Sequence, residues 1–416
     1  LDISLKRLFT VRYRLGLFDT QHKNPYANQP KSLLEAPEHG AHALELARQS
    51  MVLLRNEKKL LPLSSRKKYK ILLVGPNADN ETTQLGNYNG FPTRNVTLLD
   101  ALRAEPNVEV VYDPLTDFTT WKNETRIDSL MEQCRDIDLV LFAGGISPTL
   151  EGEQGDAGGN GIEGFRDGDR TTIALPKVQT QAMQELQKMH KPMIFVCMSG
   201  SAVSYNWEAE HLPVVIQAWY GGQATGTALT DILFGRYNPS GRLPLTFYRS
   251  DEDLPPFEDY SMQGRTYRYF EGDVLYPFGY GLSYTTFKYQ HLKVPSDAQT
   301  GDSVKVSVEV VNTGKMAGEE VVQLYLSHRG MAEEAPLCAL KKFVKIKLEP
   351  KERRTVSFVL SPRELAFVGR AGDIHEDAGT VEVFVGGVCP SAPQRFTKGI
   401  QKASLHLQGE PKNFLY

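Results

Sequence analysis

Short apolar runs alternate with helix-like stretches between residues 38 and 247 of this chain. The apolar runs have the length of buried strands and lie at residues 71–74, 108–112, 139–143, 193–197 and 214–218. Segments with helical spacing separate them, for example at residues 176–189 and 225–234. Because this alternation is typical of a mainly parallel sheet with helices on both faces, we predict an α/β sandwich domain over residues 38–248.

The hydrophobic period changes after residue 290. Valine occupies every second position from 304 to 310, and the same alternation returns at residues 322–326, 356–360 and 381–385. The turn-forming sequence Asn312-Thr313-Gly314 separates the first two runs. Several short alternating strands in succession indicate a β-sandwich, so we predict an all-β domain and C-terminal tail over residues 290–416.

Two further segments complete the predicted organisation. Residues 1–37 combine a short helix-like stretch ending near Gly16 with a polar linker, and this stretch is too short to bury a core of its own. We therefore expect it to be the end of a domain that lies upstream. Residues 249–289 are rich in proline, glycine and aromatic residues. A flexible linker is one alternative, but so many aromatic side chains are costly to expose, which favours an ordered connector.

The composition excludes several classes of partner. The 416 residues include 47 basic and 50 acidic side chains, and the net charge of -3 predicts no binding to nucleic acid or anionic membranes. No apolar run reaches the roughly 18 residues that a membrane span requires. The four cysteines and nine histidines show no metal-ligand spacing, so we predict neither a metal site nor a cofactor.

An acidic, glycine-rich loop follows the apolar run at residues 139–142. In an open α/β sheet, ligands bind at the carboxyl ends of the strands, so a carboxyl group on this loop should face a crevice. The first candidates are Glu151 and Glu153, and the glycine-rich residues 155–161 could form a mobile flap. A solvated loop without catalytic function is the main alternative. Calcium binding is less well supported because the acids lack the regular spacing of a calcium loop.

Other motifs point less clearly to chemistry. The sequence Ser199-Gly200-Ser201 follows a strand-like run, but it has no evident histidine partner and no nucleophile-elbow pattern. Residues 75–79 occupy a place where a phosphate loop could lie, yet they lack the glycine pattern of such loops. Three glycosylation triplets begin at Asn80, Asn95 and Asn123, a number that a chain of this length can contain by chance.

Several longer motifs resemble glycoside hydrolase family three. They are MVLLRN at residues 51–56, GPNAD at 75–79, QAWYGGQATGTAL at 217–229, LFGRYNPSGRLPLTF at 233–247 and YPFGYGLSYTTF at 276–287. The C-terminal part is similar to the fibronectin type III-like domain that ends many members. Together these motifs extend over nearly the whole chain and are specific to the family.

The resemblance implies a β/α barrel, an α/β sandwich and a fibronectin type III-like domain, with residues 12–19 similar to the last piece of the barrel. Members of the family retain stereochemistry and use an aspartate nucleophile on the barrel within a Ser-Asp-Trp-like motif. None of Trp121, Trp207 and Trp219 follows an aspartate. The nucleophile is therefore expected on a barrel outside this chain, and the chain alone is expected to be inactive.

The resemblance also implies site residues. Counting six residues from Gly145 gives Glu151 as the acid/base, with Glu153 as second choice because extra residues precede Asp169-Arg170. The loop at residues 147–153 is more similar to the β-xylosidase branch than to the glucosidases. Asn87 and Tyr88, within a GNYNG sequence, are expected to shape the sugar pocket.

These observations predict a retaining, exo-acting β-glycosidase that releases a terminal sugar, most consistently xylose, from β-linked oligosaccharides. A β-glucosidase or α-L-arabinofuranosidase of the same family is the nearest alternative. A non-catalytic carbohydrate-binding or scaffold remnant is the alternative from another class. The expected partners are an oligosaccharide and the upstream barrel domain, and the family implies a periplasmic or extracellular location.

Overall fold

A computed structural model describes residues 1–19, 23–24, 28–152, 155, 159–328, 335–369 and 372–415. The helices are α1 (Asp2–Arg14), α2 (Pro37–Ser50), α3 (Glu81–Leu85), α4 (Leu98–Arg103), α5 (Arg126–Gln133), α6 (Lys177–Gln187), α7 (Asn206–His211), α8 (Thr225–Leu233), α9 (Thr266–Tyr269) and α10 (Pro362–Leu365). Within these described residues, none of the helices is both long and apolar enough to cross a membrane.

The strands fall into an N-terminal and a C-terminal group. The first group is β1 (Val52–Asn56), β2 (Tyr69–Val74), β3 (Val108–Asp113), β4 (Leu139–Gly145), β5 (Phe165–Arg166), β6 (Asp169–Arg170), β7 (Met193–Met198) and β8 (Val214–Gln217). The second group is β9 (Phe287–Lys293), β10 (Asp297–Gln299), β11 (Val304–Asn312), β12 (Gly318–His328), β13 (Ala339–Leu348), β14 (Arg353–Leu360), β15 (Phe367–Val368), β16 (Ile374–Glu376), β17 (Gly379–Gly386), β18 (Gln401–Gln408) and β19 (Lys412–Phe414).

Six strands of the first group form one sheet in the order β1-β8-β7-β4-β2-β3. The pairs from β3 to β8 are parallel, whereas β1 runs antiparallel to β8 at the edge. The predicted mainly parallel sheet is therefore confirmed. β1 is an additional strand that the alternating pattern does not predict, because it directly follows α2 without a turn signal.

Both faces of the six-stranded sheet are buried, which explains why its strands are continuously apolar. On β2, Leu72 and Val74 belong to the core on one face, and Ile71 and Leu73 belong to the core on the other. Helices α5 and α6 contribute to the first core, whereas α4 and α8 contribute to the second. Such two-sided burial holds β4 and β7 at the centre of the sheet and fixes where their carboxyl ends lie.

The second group of strands forms the predicted all-β part. One sheet has the order β10-β18-β17-β12-β13, and a smaller sheet has the order β14-β11-β9. Along β11 the residues at positions 304, 306, 308 and 310 are at most 2% exposed, and they pack in a core shared with β12 and β17. This is the one-face burial that strict two-residue alternation predicts, so the β-sandwich is confirmed.

The aromatic segment between the two parts packs against both of them. Leu282 donates its backbone N–H to the carbonyl oxygen of Leu53 at 2.7 Å, and so partly covers the edge strand β1. Arg242 and Glu320 form an almost completely buried ion pair at 2.9 Å that joins the α/β part to the sandwich. Tyr289 donates a further hydrogen bond of 2.8 Å to Glu320. The ion pair and this hydrogen bond offset part of the cost of burying the two charges.

A buried histidine should make the β-sandwich sensitive to acid. His328 at the end of β12 is 6% exposed, bonds through Nε2 to the carbonyl oxygen of Leu365 at 2.6 Å, and packs against Phe367. Burial lowers the pKa of His328 from 6.5 to about 4, and the nearby Lys341 acts in the same direction. Protonation therefore favours the unfolded chain. The stability that neutral His328 contributes is present above pH 6.5 and is lost as the pH falls towards 4.

We expect His328→Asn to flatten this acid dependence, because asparagine keeps a hydrogen-bond donor but does not titrate. Between pH 7.5 and 5 the wild type should lose about 2 kcal/mol more of its free energy of unfolding than the variant. Urea unfolding at the two pH values measures this difference. An equal loss in both proteins would show that His328 does not govern the effect.

Candidate active site

Three neighbouring strands end at one edge of the six-stranded sheet. The last residue of β4, Gly145, pairs with the last residue of β7, Met198, and β7 pairs in parallel with β8 through Cys197 and Gln217. The chain therefore leaves all three strands at the same edge, as expected for parallel neighbours. The loop after β4 contains Glu151, whereas the loops after β7 and β8 provide groups that contact it.

Gly145 allows the chain to leave β4 tightly packed against β7. Its φ of +113° is unfavourable for other residues, and a Cβ atom added there would lie 2.0 Å from the carbonyl oxygen of Met198. After this turn, the backbone N–H groups of Leu150 and Glu151 both donate to the carbonyl oxygen of Ser147 at 3.0 Å. These two bonds fix the first part of the loop and direct Glu151 back towards the sheet edge.

The Glu151 carboxyl group accepts three hydrogen bonds. Oε2 accepts from the backbone N–H of Gly200 at 2.7 Å and from the Tyr220 hydroxyl at 2.5 Å. Oε1 accepts from the hydroxyl of Ser201. The side chain is 12% exposed, so it is largely shielded but still reachable from the edge of the sheet. A side chain at position 200 would crowd this carboxyl group, since a Cβ built on Gly200 would lie 3.1 Å from Glu151 Oε2.

Arg170 on β6 places a cation next to this carboxyl group. Its Nη1 lies 3.8 Å from Glu151 Oε1 and donates to the Ser201 hydroxyl at 2.6 Å and to the carbonyl oxygen of Ala202 at 3.0 Å. Burial lowers the pKa of Arg170, and the charge of Glu151 opposes that change. Within the described part of the chain, Nε and Nη2 of Arg170 are buried without a hydrogen-bond partner. Nε and Nη2 of Arg170 can therefore donate hydrogen bonds to another group.

This arrangement allows Glu151 to hold and to release a proton. In the ionised state, the oxygens of Glu151 accept from the three donors and lie beside the guanidinium group of Arg170. Burial raises the pKa of Tyr220, and the adjacent Glu151 charge raises it further, so Tyr220 stays protonated. The Ser201 and Tyr220 hydroxyls can also rotate to accept a hydrogen bond from a protonated Glu151. The contacts of Glu151 are therefore compatible with both the ionised and the protonated carboxyl group.

The other predicted site residues have different surroundings. Asn87 donates its side-chain amide to the backbone carbonyl oxygen of Glu151 at 3.0 Å, which brings the predicted pocket segment to the loop. Tyr88 follows with a φ of +55°, and its side chain is 88% exposed. Glu153 lies outside the described residues. Glu163, a further acidic residue after the glycine-rich part of the loop, is exposed and pairs with Lys177 at 2.5 Å.

The site is completed by three residues that the sequence does not identify as contacts of Glu151, namely Ser201, Arg170 and Tyr220. Ser201 is considered above only as part of a possible hydrolase motif, and the other two lie within sequences used for the family resemblance. The sequence does contain a signal for two of these residues. Ser201 and Tyr220 each follow a predicted parallel strand, and the carboxyl ends of parallel strands meet at one edge of the sheet. The strand order needed to apply that signal comes from the tertiary structure.

A cavity of about 900 Å³ is lined by two residues that contact Glu151, although Glu151 itself does not line it. These two residues are Arg170 and Ser201, and the aromatic segment contributes further lining residues, including Phe257 and Met262. Among the described residues, no group of three histidine, cysteine, aspartate or glutamate side chains is placed to hold a metal ion. A carboxyl group held as Glu151 is can exchange a proton with a bound molecule.

The fold and the site define an α/β protein with a carboxyl group at the sheet edge and an appended β-sandwich. Residues 51–284, just over half of the chain, match the model of the glycosyl hydrolase family 3 C-terminal domain. Residues 320–388 match the fibronectin type III-like domain. The chain belongs to glycosyl hydrolase family 3.

Relatives in this family include xylosidases and glucosidases. A xylan 1,4-β-xylosidase of Xylanibacter ruminicola is 31% identical, with 88% of this chain and 58% of that protein covered. A periplasmic β-glucosidase of Salmonella typhimurium is 32% identical, with 93% and 54% covered. The crystal structure of a Listeria innocua β-glucosidase in complex with glucose superposes with a TM-score of 0.81 at 27% identity, over 97% of this chain and 54% of that one. The chain therefore spans about half the length of these relatives.

Proposed function

We propose that the protein containing this chain is a retaining β-glycosidase in which Glu151 is the catalytic acid/base. The observation that supports this role most directly is the position of Glu151: a shielded carboxyl group at the carboxyl edge of a parallel sheet, held by Gly200, Ser201 and Tyr220. A general acid/base needs a fixed carboxyl group that still reaches substrate, and this arrangement meets that need.

The second carboxyl group of the reaction is proposed to be an aspartate on a barrel domain outside this chain. A retaining mechanism requires the two carboxyl groups to be about 5 to 5.5 Å apart. As the aspartate attacks the sugar carbon, Glu151 donates its proton to the departing glycosidic oxygen. Glu151 then removes a proton from water, which attacks the same carbon and frees the aspartate. Glu151 regains the proton, so the cycle balances.

The proposed substrate is a β-linked oligosaccharide with a terminal xylose at its non-reducing end. The loop at residues 147–153 is similar to the xylosidase branch, and the Xylanibacter ruminicola relative is named a xylosidase. A β-glucosidase or an α-L-arabinofuranosidase is the second candidate, because a glucosidase is similar to the same extent. We further propose that the protein acts in the periplasm or outside the cell. Its domain boundaries are proposed to be as follows: residues 1–37 are the end of the barrel and a linker, and residues 38–248 are the α/β sandwich domain. Residues 249–289 are the aromatic connector, and residues 290–416 are the fibronectin type III-like domain with its C-terminal tail.

Hydrolysis of aryl glycosides by the full-length protein tests this proposal. We expect the highest kcat/KM on aryl β-D-xyloside, with aryl β-D-glucoside and aryl α-L-arabinofuranoside as comparisons. Proton NMR of the first product should show the β-anomer, as retention requires. Inversion, or no turnover of any of the three substrates, would contradict the proposal. Highest activity on the glucoside would leave the mechanism intact and replace the sugar assignment.

The alternative of a non-catalytic carbohydrate-binding or scaffold protein makes a different prediction. It requires that no barrel with a Ser-Asp-Trp-like motif belongs to the same protein. Determining the coding sequence upstream of Leu1 separates the two possibilities. A barrel with that motif supports the enzyme, whereas a true start near Leu1 supports the scaffold.

Removing the Tyr220 hydroxyl should weaken the reaction without removing the acid/base. A hydrogen bond to a charged group contributes about 1.5 to 3 kcal/mol, so Tyr220→Phe in the full-length enzyme is expected to lower kcat/KM by about 10- to 100-fold. Tyr284→Phe is a matched control, because that hydroxyl is also partly buried but donates to the backbone carbonyl oxygen of Ile232 at 2.7 Å. Steady-state kinetics should show a rate loss for the first variant only. Equal losses in both would indicate a general effect on packing.

A further inference from the structure

Two cysteines of the C-terminal part lie side by side although 51 positions separate them in the sequence. Cys338 lies just before β13, and Cys389 follows β17. Their Sγ atoms are 3.2 Å apart, and the two residues are 1% and 0% exposed. Cys134 and Cys197, by contrast, belong to the core on one face of the six-stranded sheet.

We propose that Cys338 and Cys389 form a structural disulfide in the mature protein. A disulfide has an S–S length of about 2.05 Å, so the two sulfurs need to approach by only about 1.2 Å. Cys338 directly precedes β13, and Cys389 lies shortly after the end of β17. The short segments around the two cysteines can therefore move by the distance of about 1.2 Å that the bond requires. This inference does not depend on the proposed glycosidase activity.

The bridge would form by exchange with a disulfide oxidant, such as oxidised glutathione or an oxidised thiol oxidoreductase. The Cys338 thiolate attacks the oxidant and releases one thiol, and the Cys389 thiolate then attacks the Cys338 sulfur and releases the second thiol. The protein loses two hydrogens, and the oxidant gains them. Because both sulfurs are buried in the folded chain, the exchange belongs to folding.

The bridge would secure the aromatic connector at the point where it meets the sandwich. Leu337 donates its backbone N–H to the carbonyl oxygen of Arg268 at 2.7 Å, and Cys389 donates to that of Phe278 at 3.2 Å. Tyr267 stacks on Phe278 with ring centroids 4.2 Å apart. Both cysteine-containing segments therefore donate a backbone hydrogen bond to the connector, one at Arg268 and the other at Phe278. A covalent link between them would keep the connector in place.

Thiol counting tests for the bridge directly. The full-length protein is refolded in a glutathione redox buffer, denatured without reductant and treated with iodoacetamide. We expect Cys134 and Cys197 to be alkylated, and Cys338 and Cys389 to be recovered as one linked peptide pair by mass spectrometry. Alkylation of all four cysteines, or a different pairing, would overturn the proposal.

Thermal unfolding gives a second readout that needs no variant. A disulfide closing a loop of this length stabilises the folded state, so reductant should lower the Tm of the oxidised wild type by roughly 5 °C or more. Cys389→Ser should have a lower Tm that no longer responds to reductant. Cys134→Ala is the matched control, and it should keep the full response. A wild-type Tm that is independent of reductant would contradict the proposal.

Discussion

Replacing Glu151 by alanine in the full-length enzyme is expected to lower kcat/KM on xylobiose by about 10³- to 10⁴-fold, the upper range for loss of a general acid/base. Xylobiose has a poor leaving group, and its glycosidic oxygen needs a proton as the bond breaks. An activated aryl xyloside leaves without that proton, so its glycosyl-enzyme should still form rapidly. The loss should therefore be far smaller for the aryl substrate than for the disaccharide.

Azide provides a second test of the same variant. In the proposed mechanism, loss of Glu151 removes the group that activates water against the glycosyl-enzyme, but azide needs no general base and can attack directly. We expect added azide to restore turnover of the aryl substrate and to yield a β-glycosyl azide. Glu163→Ala is the control, because Glu163 lies on the same loop but is exposed and pairs with Lys177. Equal losses on both substrates, with no effect of azide, would contradict the role of Glu151.

Replacing Gly145 by alanine is expected to reduce the free energy of unfolding by at least about 3 kcal/mol, through left-handed backbone strain and a steric clash. The added Cβ would lie 2.0 Å from the carbonyl oxygen of Met198. Because the Cβ is attached directly to the backbone of β4 and the oxygen belongs to the backbone of β7, neither can move without disturbing the pairing of β4 with β7. The displacement would also shift the loop that holds Glu151, so activity should fall together with stability.

Gly40→Ala is the matched control for this variant. Gly40 lies in α2, and a Cβ added there meets no atom within 4 Å. Alanine favours the helix over glycine, so this change should stabilise the protein by about 0.5 to 1 kcal/mol. Urea unfolding of both variants measures the contrast. A Gly145→Ala protein as stable as the wild type would show that the strand end tolerates a side chain.

Some elements of the fold could be predicted from the sequence and others could not, and this difference has a physical reason. Strands buried on both faces are continuously apolar, so β2, β4 and β7 could be predicted from their runs of consecutive apolar residues. β1 could not, because it directly follows α2 and is an antiparallel edge strand. Its pairing with β8 joins segments far apart in the chain, and no local pattern encodes that partner.

The site was predictable only in part. The motif resemblance selects Glu151 and the segment of Asn87, and the structure links these two through a hydrogen bond of 3.0 Å. The donors to Glu151 come from positions 49 to 69 residues farther along, namely Gly200, Ser201 and Tyr220. Their roles depend on the order of the parallel strands, which decides which loops become neighbours.

The sequence by itself determined two hydrophobic periods, the family motifs and the choice of one glutamate after one strand. These properties are local, since they depend on which side chains face the same way within a single element. Only the tertiary structure decided that Arg170, Ser201 and Tyr220 surround that glutamate and that Cys338 lies beside Cys389. Such contacts join residues distant in sequence, and they exist only once strand order and sheet packing bring separate strand ends together.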